Sequence, residues 1–228
     1  MLKTLKFLTL PVLSLVALTG CNSGDGGDGG DTSEPTSSGE SLPYSEDQVK
    51  NKLQQLGETS GFEITLVGES DGESEGTVTF GMKGKAAWLY TDEGKGGYKI
   101  AEDKLYIYTY DEDLQTYEPT EMPVDNPQES FDLYVEGATS SLYYAYDLTT
   151  GGDFTKVGGV THAGRAATEY RYVFAGYGVS VQWKVIVDNE LGITLYWGGS
   201  GSSVDGDSGS ASLDVTVFKT GSAVVVPF

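Results

Sequence analysis

The chain has 228 residues, and its 14 Lys and Arg against 34 Asp and Glu give a formal net charge of -20 at pH 7. Nucleic acids and anionic lipid headgroups are bound through clustered Lys and Arg, so this charge argues against both partners. A single Cys excludes an intramolecular disulfide, and a single His excludes a metal centre with several His ligands. We therefore expect no nucleic-acid partner, no metal and no cofactor.

Residues 1–20 have the pattern of a secretory signal peptide. Lys3 and Lys6 precede an apolar stretch at 7–18, which is shorter than the ~20 residues that span a bilayer. The sequence Leu-Thr-Gly-Cys at 18–21 resembles a bacterial lipobox, in which the Cys thiol receives a diacylglycerol. We predict lipidation at Cys21 and an extracytoplasmic protein anchored by its acyl chains, either on the outer face of the cell membrane or in an outer membrane. The alternative is an ordinary secretory signal with an incidental Cys.

The segment after the Cys differs in composition from the rest of the chain. Residues 22–43 are rich in Gly, Ser and Asp and contain a single large apolar side chain, Leu42. Such a segment buries too little surface to offset the entropy lost on ordering, so it predicts a flexible tether. The predicted organisation is a signal peptide at 1–20, the lipidated Cys and linker at 21–43, and one β-rich domain at 44–228.

The domain begins with a short amphipathic helix. Ser45 and Gln48 form a capping box, in which each side chain bonds the backbone N–H of the other residue. Val49 and Leu53 then recur on one face, and Gly57 is predicted to end the helix.

The next 50 residues predict a meander of antiparallel strands. Apolar residues alternate with polar ones, and turn signals at 69–76, 92–97 and 102–103 separate the runs. Short strands joined by tight turns are typical of antiparallel sheets. The alternating apolar residues are Phe62, Ile64, Leu66, Val78, Phe80, Met82, Ala86, Trp88, Leu105 and Ile107.

A second helical signal interrupts the strands. Asn126 can cap a helix, Pro127 suits its first turn, and Glu129 completes the capping box. Apolar residues then follow helical spacing, which predicts a helix or a broken helix over about 127–147.

The remaining sequence returns to strands. We predict two short strands at 154–157 and 160–163, longer strands at 170–174, 179–187, 193–197 and 213–217, and a Gly/Ser/Asp loop before the last one. One face of the sheet is apolar, so it must curl around something or close. The predicted fold is α+β and mainly β: a highly curved antiparallel half-barrel of about 10–11 strands, with two helical segments packed on its concave face.

This order of elements resembles the half-barrel carriers and receptors of the Lol lipoprotein-sorting system (LolA- and LolB-like proteins) and related bacterial lipoproteins that carry lipids. Three segments carry the likeness: TKVGGVTHAGRAATEYRY at 155–172 with its Gly-Arg corner, VIVDNELGITLYW at 185–197, and LDVTVFKTG at 213–221. The resemblance implies a curved sheet plugged by helices, with an apolar concave face that accepts acyl chains. Cys21 would place this chain among the anchored members.

We predict a non-enzymatic lipoprotein that binds a lipid or the acyl chains of a lipoprotein, and that acts as a monomer. Aromatic and aliphatic side chains are typical linings of apolar pockets, although each one by itself suits a core equally well. The predicted ligand-binding residues of the concave face are Phe62, Ile64, Phe80, Trp88, Ile107, Tyr172, Trp183, Val185, Leu195, Trp197 and Val215.

Tyrosines on the opposite face support a second hypothesis. Tyr106, Tyr108 and Tyr110 alternate with apolar residues, and such a row could stack on sugar rings. The chain would then be a surface adhesion module that binds a glycan or a protein without an internal ligand.

A serine hydrolase is the third and weakest hypothesis. The sequence 68–72 matches the Gly-x-Ser-x-Gly nucleophile motif around Ser70, but it falls between two strands, where a hairpin turn is expected. Gly-Asp-Ser-Gly around Ser208 resembles the serine-protease nucleophile loop, but Ser210 replaces the next Gly. The only His, His162, is 46 residues upstream, which is too close for the barrel that separates the two residues in those proteases. Acidic runs at 111–113 and 205–207 lack a complete calcium loop and are interpreted as solvated turns.

Overall fold

The computed structural model describes residues 41–147, 153–176 and 178–228, so the predicted signal peptide, Cys21 and most of the linker lie outside the described residues. Eleven antiparallel strands form one curved, open sheet, which confirms the predicted fold class. Within the described ranges, no helix has the length and apolar character needed to cross a bilayer. The strands are β1 (Phe62–Ser70), β2 (Glu73–Lys83), β3 (Ala86–Thr91), β4 (Gly94–Ala101), β5 (Lys104–Asp111), β6 (Thr116–Met122), β7 (Asp153–His162), β8 (Arg165–Gly176), β9 (Val179–Asp188), β10 (Thr194–Ser203) and β11 (Ser208–Thr220).

The sheet consists of two meanders that meet in its middle. Its strand order is β6-β5-β4-β3-β2-β1-β11-β10-β9-β8-β7, so the first and last strands of the chain pair with each other. The two edges are therefore β6 and β7, which are consecutive in sequence, and the segment between them contains the second helical region. We call β1–β6 the first half of the sheet and β7–β11 the second half.

The first helix, α1 (Glu46–Thr59), begins as predicted and ends later than predicted. The Ser45 hydroxyl accepts from the Gln48 backbone N–H, and the Gln48 side chain accepts from that of Ser45. Gly57 does not end the helix, which continues to Thr59. It serves packing instead, since a Cβ at this position would lie 2.5 Å from the Met82 sulfur. Gly57 thus permits close packing on β2, and Gly61, with a φ of 78°, is the glycine at which the chain turns.

The second helical region is a broken helix. It consists of α2 (Pro127–Thr139), a 3-10 turn (Ser140–Tyr143) and α3 (Tyr144–Asp147). The Asn126 side chain accepts from the backbone N–H of Glu129 at 3.3 Å, as the predicted cap requires.

The helices define the two faces of the sheet. Phe62 pairs with Met82 and Ile64 with Phe80, so these four side chains share one face. Gly57 of α1 lies on Met82, and Tyr134 of α2 packs on Tyr98 of β4 with ring centroids 4.0 Å apart. We call this the helix face and its reverse the outer face.

Several predicted turns and loops are strands. Residues 198–202 pair with both β9 and β11, and Ser203 pairs with β9, although their Gly/Ser composition predicted a loop. Small residues are needed here: a Cβ at Gly199 would lie 2.1 Å from the Gln182 carbonyl oxygen and 2.7 Å from the Trp183 ring. A backbone ladder needs no large side chains, which is why composition alone gave the wrong prediction.

Two further predictions required correction. The strands predicted at 154–157 and 160–163 form one strand, β7, in which the register shifts between Lys156 and Gly158. The Gly-Gly pair thus forms part of an irregular strand and makes no turn. The turn predicted at 92–97 is shorter, because Gly94 already belongs to β4.

Candidate functional site

A cavity of about 370 Å³ lies between α1, α2 and the helix face of the sheet. Its floor consists of Phe62 and Met82, and Leu53 forms part of its wall; all three side chains are buried. The mouth carries charged and amide side chains from both helices. The remaining lining residues are Asp47, Lys50, Asn51, Gln54, Asp132, Val135, Glu136, Thr139 and Tyr143.

One lysine joins the two helices at the mouth of this cavity. The Lys50 ammonium lies 2.8 Å from Glu46 on its own helix and 2.9 Å from Glu136 on α2. It also lies 4.9 Å from the ring centroid of Tyr143. The hydrogen bonds to the two carboxylates raise the pKa of Lys50, so it remains charged. Exposed ion pairs of this kind contribute about 0.2–1 kcal/mol, so the seam between the helices is only weakly held at this point.

Ten of the eleven predicted ligand-binding residues lie on the helix face, where the prediction placed them. Only Phe62 lines the cavity. Ile107 and Trp183 are half-buried and the other nine residues of the set, Trp88 included, are buried. The protein's own side chains therefore occupy most of this face, and the open space is confined to the seam between the helices.

Trp88 is the exception, because it lies on the outer face. Phe80 pairs with Leu89, so the adjacent Trp88 points the other way and pairs with Gly81. The Trp88 indole N–H donates to the Glu63 carboxylate at 3.2 Å, and the side chain is fully buried. The prediction that Trp88 lies on the concave face is therefore wrong. The alternation of apolar and polar residues predicts that a side chain faces an apolar layer. It does not indicate which face of the sheet that layer covers, and in this half of the sheet both faces are covered.

The C-terminal residues cover the outer face of the first half of the sheet. Val224 is buried, and its carbonyl oxygen accepts from the Lys83 ammonium at 2.8 Å. The Phe228 ring stacks on Tyr108 with centroids 4.1 Å apart. Phe228 thus occupies the ring face on which a sugar would stack.

The other two tyrosines of the row are also half-buried. Tyr110 contacts Tyr117 at 5.0 Å between centroids, and the Lys95 ammonium lies 5.0 Å from the Tyr110 ring. Tyr106 belongs to the same outer face, since it pairs with Lys99. The row exists as predicted, and its central ring is already covered.

The second half of the sheet carries an aromatic band on its helix face. Tyr172 lies 5.0 Å from Phe154 and 5.9 Å from Trp183, and Trp183 lies 5.6 Å from Trp197. Tyr144, the first residue of α3, covers the end of the band at 4.9 Å from Trp197. We use the name aromatic band for Phe154, Tyr172, Trp183 and Trp197. Three of its four members are predicted ligand-binding residues.

An ion pair fixes the Gly-Arg corner on the outer face. Asp188 is fully buried and accepts from Arg165 at 2.5 and 3.1 Å and from the backbone N–H groups of Glu190 and Leu191. Four donors satisfy one carboxylate, so the corner of the β7–β8 hairpin is tied to the turn after β9. Two of the three segments that carry the family resemblance thus contact each other.

The predicted hydrolase residues do not form a catalytic arrangement. His162 lies 2.7 Å from the Asp214 carboxylate, and no hydrogen bond among the described residues joins it to Ser70 or Ser208. Ser70 ends β1 next to a hairpin turn, as expected for a non-catalytic serine. Among the described ranges, no group of three or more His, Cys, Asp or Glu is arranged to hold a metal ion.

No family model and no curated protein matches the chain. Among solved structures, MucB of Pseudomonas aeruginosa, in a complex of MucA and MucB, is 16% identical with a TM-score of 0.38, over 78% of this chain and 59% of that one. Lipoprotein LppX of Mycobacterium tuberculosis is 14% identical with a TM-score of 0.33, over 80% of this chain and all of that one. A domain described as an outer membrane lipoprotein-sorting protein of Vibrio parahaemolyticus is 9% identical with a TM-score of 0.25, over 78% of this chain and 92% of that one.

The last two are proteins of the kind that the sequence resembles. The chain spans less than two thirds of the MucB chain. Since every TM-score is below 0.5, the fold assignment rests on the strand order and pairing of this chain itself.

The helix residues of the cavity were missing from the predicted site. Leu53 was assigned to the apolar face of α1, and Val135 follows the helical spacing of α2. Amphipathic stripes indicate which side of each helix is buried, but they do not indicate that the two stripes meet imperfectly and leave a cavity.

Proposed function

We propose that this protein is a membrane-anchored, extracytoplasmic lipoprotein that binds a lipid, or the acyl chains of a lipoprotein, between its helices and its sheet. The cavity at the helix seam carries this proposal. It combines a floor of buried apolar side chains with a polar mouth, which is the arrangement that an apolar chain with a polar headgroup needs. Its volume of about 370 Å³ falls at the lower end of the range for ligand pockets, about 300–1,000 Å³.

A binding role explains the site better than catalysis does. His162 is engaged by Asp214 and does not line the cavity. Of the lining residues, Thr139 donates its hydroxyl proton to the Val135 carbonyl oxygen, and two carboxylates keep the Lys50 amine charged, so neither group is activated as a nucleophile. The carboxylates of Asp47, Asp132 and Glu136 surround the mouth, with Lys50 as their counter-charge. This surplus of negative charge favours a ligand whose headgroup is uncharged or cationic.

The membrane anchor rests on the lipobox at 18–21. Two acyl chains on Cys21 would hold the protein on a bilayer without a transmembrane helix. Growth with radiolabelled palmitate should label the parent protein, and Cys21→Ser should abolish the label and release the protein from the membrane fraction. A labelled Cys21→Ser protein would contradict the anchor.

An uncharged dye tests the binding site directly. Leu42 is buried, so the leaderless protein begins at residue 22 and retains it. This protein should enhance the fluorescence of N-phenyl-1-naphthylamine. Val135→Phe fills the cavity and should weaken dye binding severalfold, whereas Leu133→Phe on the exposed side of the same helix should leave it unchanged, since Leu133 is 64% exposed. Circular dichroism establishes that both variants fold. A parent protein that binds no dye, or equal binding by both variants, would contradict the cavity as the site.

The lysine at the mouth provides a kinetic test. Glu136→Gln removes the carboxylate of α2 that pairs with Lys50 across the seam and leaves Glu46, which lies on the same helix as Lys50. Because the pair is exposed, stability should change by less than about 1 kcal/mol, while the dye should associate faster. Lys104 and Glu121 form an exposed pair on strands β5 and β6, and Glu121→Gln is the matched control. Equal association rates in both variants would show that the seam is not the entrance.

A further inference from the structure

The indole of Trp197 has a buried hydrogen-bond donor without a partner. The Trp197 side chain is 4% exposed, and its Nε1 atom has no hydrogen-bond partner among the described residues. Buried tryptophans usually place this N–H against an acceptor, as Trp88 does with Glu63. An unsatisfied donor of this kind carries a free-energy penalty in the ligand-free protein, which a ligand that supplies an acceptor would remove.

The surroundings of Trp197 are those of a ligand contact. Trp197 ends the aromatic band, with Trp183 at 5.6 Å and Tyr144 at 4.9 Å between ring centroids. The rings provide a large apolar surface around the Trp197 N–H. Apolar pockets with a few placed polar groups bind amphiphiles in a defined orientation.

A short segment separates this donor from the cavity at the helix seam. Tyr143 lines the cavity and donates to the Glu136 carbonyl oxygen, whereas the next residue, Tyr144, packs on Trp197. The 3-10 turn that ends at Tyr143 is four residues long. Such turns have poorer hydrogen-bond geometry than an α-helix, so a small displacement of this turn would open a path from the cavity to the Trp197 N–H.

We propose that the Trp197 N–H donates a hydrogen bond to the carbonyl oxygen of an acyl ester or amide, and that it thereby selects acylated ligands over ligands with ether-linked or plain hydrocarbon chains. This inference rests on the proposed function. It adds the chemical class of the ligand and the residue that recognises it.

The test compares two lipids that differ by one carbonyl group. Monolauroyl glycerol and its dodecyl ether analogue share a glycerol headgroup and a saturated chain, and each is titrated against the dye-loaded protein. One hydrogen bond predicts that the parent binds the ester roughly 3- to 10-fold more tightly than the ether. Trp197→Phe, which keeps an aromatic ring and removes the N–H, should bind both lipids equally.

Trp183→Phe is the matched control, because it makes the same substitution in the neighbouring ring of the aromatic band. Its affinity for both lipids should fall by the same factor, and the preference for the ester should remain. Retention of that preference by Trp197→Phe would overturn the inference.

An isosteric replacement separates the N–H from the packing of the ring. Benzothienylalanine at position 197 replaces the N–H with sulfur and preserves the bicyclic shape. If the donor is unsatisfied in the ligand-free protein, this replacement should leave the melting temperature unchanged or raise it. A clear decrease would show that the N–H already has a partner, such as a bound water molecule, and would overturn the inference.

The outcomes also distinguish this inference from the proposed function. If the parent binds the dye and binds the ester and the ether with equal affinity, the proposed role of Trp197 is wrong and the proposed binding site is still supported. A parent that binds neither the dye nor either lipid would overturn both.

Discussion

The two halves of the sheet have similar alternating sequences and different cores. In the first half, the helices cover one face and the C-terminal residues cover the other, so that Phe80 and Trp88 are both buried on opposite sides of adjacent strands. In the second half, the helix face carries the aromatic band and the outer face carries ion pairs such as Arg165–Asp188. Apolar side chains at every second residue therefore predict an amphipathic strand, and the tertiary structure decides how many of the strand's faces are covered.

This difference suggests a division of roles. The first half is packed on both sides and would act as a rigid base, whereas in the second half Trp183 of the aromatic band is half-buried and the band lies beside a short, irregular helical segment. Regions with fewer buried contacts open at lower free-energy cost than doubly packed ones. The following predictions test the comparison.

The largest effect is expected at the tryptophan that distinguishes the two halves. Trp88→Ala should lower the free energy of unfolding by about 3–5 kcal/mol, because removal of a fully buried ring leaves a cavity and Glu63 loses one of its two donors. Trp183→Ala should cost less, since that ring is half-buried. Urea unfolding measures both, and an equal or larger loss at Trp183 would invalidate the comparison.

The stability of the second half should depend on one buried ion pair, Arg165–Asp188. Asp188→Ala leaves Arg165 without its main partner and should cost about 3 kcal/mol. Glu190→Ala is the matched control, because Glu190 contacts the same guanidinium but is 81% exposed, and it should cost less than about 1 kcal/mol. Urea unfolding measures both variants. Similar losses of unfolding free energy in the two would show that burial does not set the strength of the ion pair.

A glycine tests the cover on the outer face of the first half. A Cβ at Gly97 would lie 2.5 Å from both the Ala87 carbonyl oxygen and the Phe228 ring, so Gly97→Ala should cost about 1–3 kcal/mol. At Gly158 of β7 a Cβ would meet nothing within 4 Å, and Gly158→Ala should be nearly neutral. If thermal unfolding finds the two variants equally stable, the C-terminal residues do not pack on the sheet as described.

The smallest effect concerns pH. Burial raises the pKa of Tyr134, and the adjacent Tyr98 raises it further. An unfolded tyrosine has a pKa of about 10, so the stability that these phenols contribute is fully present below about pH 10 and is lost as the pH rises above it.

Tyr134→Phe should flatten this alkaline decline, by up to about 1.4 kcal/mol per pH unit. Burial also raises the pKa of Tyr172 in the second half, so Tyr172→Phe should act in the same direction. Urea unfolding between about pH 8 and pH 11.5 measures the slopes. Parallel slopes in the parent and in Tyr134→Phe would contradict the assigned burial.

Local patterns predicted the local structure well. The capping box at Ser45 and the side-chain cap at Asn126 start the helices where expected, because a cap and its partner are three residues apart and need no tertiary contact. The alternation of apolar residues gave the antiparallel sheet, its approximate strand number and ten of the eleven side chains on the helix face.

Tertiary packing decided the features that local patterns missed. Gly57 lies within a helix and Gly199 within a strand because Met82 and Trp183 occupy the space that a Cβ would need, and those neighbours are distant in sequence. The cavity arises where two apolar stripes meet imperfectly, and the unsatisfied N–H of Trp197 arises from what is absent around it. The sequence by itself determined which side chains become buried on folding. Which surfaces they contact depends on the three-dimensional fit of segments far apart in the chain, and that fit is decided only when the whole sheet packs against its helices.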